Sequence, residues 1–259
     1  MNDFELNQLI EKSRVGDAQA IATLVDYYIS INELKKAELE SERLKYISSP
    51  LAYRKLAGYF YSGIFGKTDI ISAKQYYLKA FELGDEPSGY NLANLYLKEK
   101  NVTEAIKYLT SGVSRGYIPS IKLLASIYLK GEGVSKDLHI ALSLLKQANE
   151  LGDDLVLTSI GKVFYQLGDY DKAFQYFSIG ANNKDLDAIY HLGLCYAKGL
   201  GVKQDFDKSR FYYEMGANLN EPNCLYNLSL YYRNGIGVVK NIALADTLYK
   251  QALENGFKK

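Results

Sequence analysis

The chain has no tryptophan, and its 259 residues include only two cysteines, two methionines, two histidines and four prolines. Each shortage excludes something. Two cysteines, Cys195 and Cys224, cannot build the disulfide framework of a small secreted scaffold, and they fit a reducing compartment, so the expected location is the cytoplasm. The histidines, His139 and His191, stand in no HExxH pattern and near no CxxC, so neither marks a metal site. No segment approaches the ~18 uninterrupted apolar residues of a membrane span. The start, Met1-Asn-Asp-Phe-Glu-Leu6, carries acids where a signal peptide has a basic head. Charge of one sign is missing as well: 31 Lys and Arg against 30 Asp and Glu leave +1, and no field directs the chain to nucleic acid or a membrane surface. No Gly-Lys-Ser/Thr follows any glycine-rich segment, so these are not phosphate loops. Without convergent acid, base, nucleophile or metal ligands, the expectation is a protein that is not an enzyme and carries no cofactor.

What is abundant is tyrosine, with 24 copies, and one phrase that returns seven times. A small residue is followed by Leu-Gly or its equivalent and then by an aromatic residue. The copies start at Ala20, Ala52, Ser88, Ser120, Val156, Ala188 and Cys224, in steps of 32 and 36 residues that alternate. A period of this size means stacked supersecondary units. In the sixth copy Ala188, Leu192, Gly193 and Tyr196 lie on one helical stripe, with Gly193 leaving room for another helix to approach. Gly199 and Gly201 end that helix. Asp205 or Asp207 caps the next one, in which Ser209, Tyr212, Tyr213 and Gly216 keep the helical spacing.

The 32/36 alternation has a local cause. Copies two, four, six and seven carry a longer connection, Gly63-Ile-Phe-Gly66, Gly131-Glu-Gly133-Val134, Gly199-Leu-Gly201-Val202 and Gly235-Ile-Gly237-Val238. Copies one, three and five use shorter polar turns, yet Ala37, Ala105 and Ala173 each lie seventeen residues after their starts. Cys224 takes the small-residue position and reads as core rather than chemistry. Tyr28, Tyr96, Tyr128, Tyr196 and Tyr232 recur at one position and read as core as well.

The string Ala188-x-x-x-Leu-Gly-x-x-Tyr-x-x-Gly-x-Gly-Val-x-x-Asp205 resembles the Sel1-like repeat, a relative of the tetratricopeptide repeat with a longer inter-helix loop. Copies four and seven match it too, the latter through Leu228, Tyr232, Gly235, Gly237, Val238, Ala245 and Tyr249. Copy two departs at Phe65, where the second loop glycine is expected. Copies one, three and five resemble plain tetratricopeptide units, and copy one diverges most, with Glu40 and Ser41 at apolar second-helix positions. The resemblance implies an all-α fold, a right-handed α-solenoid of seven αα-hairpins over residues 18–259. Residues 1–17, with Phe4, Leu6, Leu9 and Ile10, read as a capping helix. Gly256-Phe-Lys-Lys259 leaves little to cover the last hairpin, so the C-terminal repeat is the expected place for self-association.

In tetratricopeptide-like arrays the first helices line the concave face. The resemblance places lining residues one before each start and two, six, nine and ten after it. Among them are Arg54, Tyr61, Tyr90, Asn94, Lys98, Lys122, Lys130, Lys162, Tyr165, Tyr190, Lys198, Tyr226 and Arg233. Of the 35 positions seven are Lys or Arg, five are Tyr, and only Asp26 and Asp187 are acids, which predicts a basic, aromatic groove for an acidic protein or peptide. The function expected is a non-catalytic interaction scaffold or adaptor. The alternative is a cytoplasmic immunity protein that sequesters a toxin.

Overall fold

Helix-capping residues recur as regularly as the apolar stripe, and together they set helices of nearly uniform length. The computed structural model describes residues 1–258, and all regular structure among them is helical, with fifteen α-helices. Helix α1 (Asp3–Arg14) comes first. Seven pairs follow: α2 (Ala18–Ser30) and α3 (Leu34–Arg43), α4 (Pro50–Ser62) and α5 (Ile70–Glu82), α6 (Glu86–Lys98) and α7 (Val102–Ser114), α8 (Ile118–Lys130) and α9 (Leu138–Glu150), α10 (Leu157–Leu167) and α11 (Tyr170–Asn182), α12 (Leu186–Lys198) and α13 (Phe206–Asn218), α14 (Pro222–Asn234) and α15 (Ile242–Glu254). The chain forms two compact units. One is Met1–Ile127 with Gly131–Ser135, and the other is Tyr128–Lys130 with the chain from Lys136 on.

One hydrogen bond closes both kinds of connection. The aromatic residue eight after each repeat start accepts, through its carbonyl, the N–H of the residue that caps the second helix. Asp69 donates to Phe60 at 2.9 Å, Asp205 to Tyr196 at 3.0 Å and Asn241 to Tyr232 at 2.8 Å across the long loops. Asn101 donates to Tyr96 at 2.9 Å and Asp169 to Phe164 at 3.0 Å across the short ones. The four-residue difference is therefore absorbed between two fixed points. Asp205, not Asp207, is the cap of α13, its side chain accepting from the Lys208 N–H.

From the second phrase on, the residue that opens it has a counterpart eight residues earlier, at the end of the preceding pair. Gly112 faces Ser120, Gly180 faces Ala188 and Gly216 faces Cys224; a Cβ on Gly216 would lie 2.8 Å from that of Cys224. These pairs of small residues let neighbouring hairpins approach at van der Waals distance. At two boundaries a larger residue enters the pair, Leu44 before Ala52 and Val156 after Ala148. Those are the two places where a turn is wound as 3-10 helix, Leu44–Tyr46 and Asp154–Val156. The fifth first helix thus starts at Leu157, later in its repeat than the others.

Within each unit the aromatics form short pillars. The ring of the eighth-position residue stacks on a second-helix tyrosine of its own pair: Phe60 on Tyr76, Tyr96 on Tyr108, Phe164 on Tyr176 and Tyr196 on Tyr212, with centroids 5.5–5.7 Å apart. Lysines cover the outer faces, Lys74 at 4.1 Å from Tyr96 and Lys208 at 5.3 Å from Tyr196. The eighth-position tyrosines are accordingly half-buried pillars rather than core. The fully buried rings sit one residue beyond their stacking neighbours, at Phe177 and Tyr213. Gly161 and Gly193 make room for them, since a Cβ there would lie 2.8 and 2.7 Å from the ring carbons. Ser209 replaces the alanine of other pairs and repays the exchange with two hydrogen bonds, donating to the Gly193 carbonyl and accepting from the Tyr231 phenol at 2.7 Å.

Both cysteines are buried and unpaired. Burial raises the Cys195 thiol to about 11 and pushes the Cys224 thiol up as well, so both are packing residues. The last hairpin is better covered than the sequence suggested. Phe257 folds back and stacks on Tyr226 with centroids 4.1 Å apart, joining the cluster around Leu225, Leu228 and Leu248. Lys259 lies outside the described residues.

Candidate partner-binding site

Within each unit, contacts from one first helix to the start of the next set neighbouring first helices side by side. The residue two after a repeat start reaches the residue three before the following one. Arg54 on α4 pairs with Asp85, the cap of α6, at 3.2 Å. Thr158 donates to Asp185, the cap of α12, at 2.9 Å. Tyr90 meets Tyr117 edge-on at 6.3 Å. Tyr190 faces Glu221, the cap of α14, and burial first and that carboxylate next push its phenol up. Positions expected to await a partner therefore already bind the neighbouring repeat.

In the first unit this arrangement leaves two adjoining clefts that share Tyr90. One is lined by Tyr61, Tyr77, Tyr90, Asn91, Asn94, Leu95 and Lys98. The other is lined by Tyr90, Ile118, Pro119, Lys122 and Leu123. Five of the residues anticipated from the sequence, Tyr61, Tyr90, Asn94, Lys98 and Lys122, thus come together along α4, α6 and α8. Lys98 donates to the Tyr61 hydroxyl and lies 4.8 Å from its ring centroid. Among the described residues no carboxylate pairs with Lys98. Asn94, which also lines the cleft, donates to the Tyr90 carbonyl at 2.9 Å, which fixes its amide. Tyr77, Asn91 and Tyr117 were not anticipated. Tyr77 comes from a second helix, and its phenol is pushed up mainly by burial. Its signal is its register: it is the residue that in pairs five and six is Phe177 and Tyr213.

In the second unit the anticipated residues are more dispersed. Lys162 binds Asp187 at 2.8 Å, and His191 lies 3.4 Å from the same carboxylate. Tyr165 packs edge-on against Tyr170, and Tyr190 lies 4.9 Å from the His191 ring, which itself stacks on Phe177. Tyr226 and Arg233 share a small cleft with Ser229, Leu230 and Tyr249, but Arg233 is bound to Asp246 at 2.5 Å. Lys198 is exposed at the end of α12, as is Lys130 at the end of α8. The basic surplus counted from the sequence is therefore smaller in the fold, because Arg54, Lys162 and Arg233 are neutralised within the chain.

Asp187 carries a testable pH dependence. The hydrogen bond with His191, then that from Lys162 and its charge, outweigh desolvation and hold its carboxyl at about 2. A lowered folded-state value means stability present above the unfolded value of ~3.9 and lost as pH falls through about 2. The carboxylate is half exposed, so solvent screening keeps the contribution below about 1 kcal/mol. Asp187→Asn should flatten the acid limb of Tm against pH between about 4 and 2. Equal acid slopes for the two proteins would remove Asp187 from that limb.

Helix pairs that repeat in register define the tetratricopeptide-like class of repeat proteins. The family model for the Sel1 repeat matches residues 50–85, 90–117, 119–153, 160–185, 186–221 and 222–257, and the chain belongs to that family. The matched segments begin at pair two, consistent with the divergence of pair one. The Sel1-repeat-containing protein YjcO of Escherichia coli K12 is 31% identical over 140 residues, covering 49% of this chain and 58% of that protein. The DAP3-binding cell death enhancer 1 of Rattus norvegicus is 42% identical over 66 residues, covering 25% of this chain and 13% of that protein. The chain therefore spans little of the rat relative and just over half of the bacterial one. Among solved structures, c5321, a protective antigen of uropathogenic Escherichia coli with an SLR fold, superposes with a TM-score of 0.78 at 24% identity, over 97% of this chain and 56% of that one. A Sel1 repeat protein from Oxalobacter formigenes gives 0.68 at 24% identity, over 92% and 99%. These likenesses establish the fold. Sel1-like repeats mediate protein–protein interaction, and proteins built from them are typically non-catalytic scaffolds. Among the described residues, no helix is long and apolar enough to cross a membrane.

Proposed function

We propose that the chain is a non-catalytic scaffold that binds a protein or peptide partner along α4, α6 and α8. The observation that supports this is the pair of clefts meeting at Tyr90, with Lys98 at one end free of any carboxylate among the described residues. Tyrosines offer large amphipathic contact at low entropic cost, and an unneutralised ammonium favours an acidic segment. The reading places the protein in the cytoplasm, where two buried free thiols persist. Self-association through α14 and α15 has less to support it, since Phe257 already covers part of that end.

The test is affinity capture from the native cell with the intact protein and with Lys98→Glu. A partner retained by the first and lost by the second supports the groove. A partner retained equally by both overturns it. One obligate partner held one-to-one makes the protein a dedicated inhibitor, such as an immunity protein; several partners that all depend on Lys98 make it an adaptor.

A further inference from the structure

The strict register of the repeats makes one empty place visible. Four residues after Ala37, Ala73, Ala105, Ala141, Ala173, Ser209 and Ala245, six of the seven second helices carry a large side chain: Tyr77, Leu109, Leu145, Phe177, Tyr213 and Tyr249. The first pair carries Ser41 there. Four residues further on, where Phe81 of pair two packs against Gly89 of the next pair, the first pair has Lys45. Ser41 is buried, 4% exposed, and its hydroxyl turns back onto the Glu38 carbonyl at 2.8 Å. The first helix compensates in part, since Val25 stands where Gly161 and Gly193 make room for the rings of pairs five and six.

Beside Ser41 a cleft of about 170 Å³ remains open between α3 and α4. Its walls on α4 are Leu56, Tyr59 and Phe60. Phe65 also lines it, the residue that stands where other long loops have their second glycine, with its ring edge-on to Tyr59 at 5.4 Å. Two departures from the repeat pattern thus converge: a missing large residue opens the space, and an added aromatic shapes it. A cavity of about 150 Å³ left by truncating one core side chain is enough to hold benzene. The rim is charge-balanced. Glu42 is bound to Lys45 at 2.5 Å, and Glu38 and Lys67 oppose each other in sign. A balanced rim selects a neutral occupant, since either sign of charge would meet repulsion as well as attraction.

We propose that this cleft is a docking pocket for one neutral aromatic side chain, Phe or Tyr, of a partner polypeptide. It supplies from outside the ring that the first repeat lacks. The pocket is lined from α3, α4 and the 63–67 loop and stands independently of the Tyr90 groove, so Lys98→Glu leaves it intact.

The experiment titrates the isotope-labelled full chain with toluene as the bare ring, and with a capped five-residue Gly/Ser peptide carrying a central Phe or, as control, Ala. Toluene and the Phe peptide should give saturable amide shifts centred on residues 38–45 and 56–67, and the Ala peptide none. Ser41→Phe should occupy the cleft and abolish both responses. Ser41→Leu should abolish them too, and it serves if the larger ring disturbs folding. Absence of saturable shifts, or shifts that persist in both variants, would overturn the pocket. Toluene binding with no preference for the Phe over the Ala peptide would overturn its assignment to a polypeptide partner.

Discussion

Gly201→Ala should destabilise the protein by about 3 kcal/mol, more than the same change at Gly199 or Gly237. Gly201 sits at φ +67°, where a Cβ costs about 1–2 kcal/mol. A Cβ would also overlap the Tyr170 carbonyl and come 2.9 Å from the Asp171 nitrogen. Those are backbone atoms at the start of α11, held by the Asp169 cap, and they cannot swing aside as a side chain would. Overpacking of that kind adds about 1–3 kcal/mol. Gly199 and Gly237 share the positive φ, but their nearest neighbours lie at 3.4 and 3.6 Å, so they carry the conformational cost alone. At roughly 2–4 °C per kcal/mol, Tm should fall by about 6–12 °C for Gly201→Ala and by about 2–8 °C for the other two. Calorimetry on the three variants gives the order. If Gly201→Ala is no worse than Gly237→Ala, the sixth loop does not brace the fifth pair.

Much of this fold was legible because its determinants are local. A cap, a stripe, a glycine turn and a four-residue insertion all lie within one repeat, and the structure keeps each where the spacing placed it. Gly193 was read correctly as room for a neighbour, and Tyr213 is that neighbour. What escaped the reading depends on register between repeats. Arg54 and Asp85, or Lys162 and Asp187, are far apart in sequence, and only the stack brings them into contact. Counting charges along one face therefore overstated the free basic surface. Tyr77 escaped for a related reason: it belongs to a second helix, yet it lines a cleft between first helices. The 3-10 turn before Leu157 could have been anticipated, because Val156 places a β-branched residue where its counterparts are small.

The same distinction separates two kinds of groove mutation. Tyr90 is the one side chain common to both clefts and lies between α6 and Tyr117, so a partner crossing α4, α6 and α8 must cover it. A central tyrosine of this kind behaves as a hot spot, and Tyr90→Ala should cost about 2 kcal/mol, roughly 30-fold in Kd. Lys98→Glu reverses a charge that, among the described residues, pairs with no carboxylate and lies against the Tyr61 hydroxyl and ring, and it should weaken binding of an acidic segment by about tenfold. Salt tells the two apart. At physiological ionic strength the screening length is about 8 Å and at 1 M about 3 Å, so the Lys98→Glu deficit should shrink as salt rises while the Tyr90→Ala deficit stays. Arg54→Ala is the contrast. Its guanidinium already holds Asp85, so it should cost less than about 1 kcal/mol in binding despite lying on the same face. Titration calorimetry with the captured partner at low and high salt measures all three. If Arg54→Ala weakens binding as much as Lys98→Glu does, the partner displaces Asp85 and the free-lysine account of the groove fails.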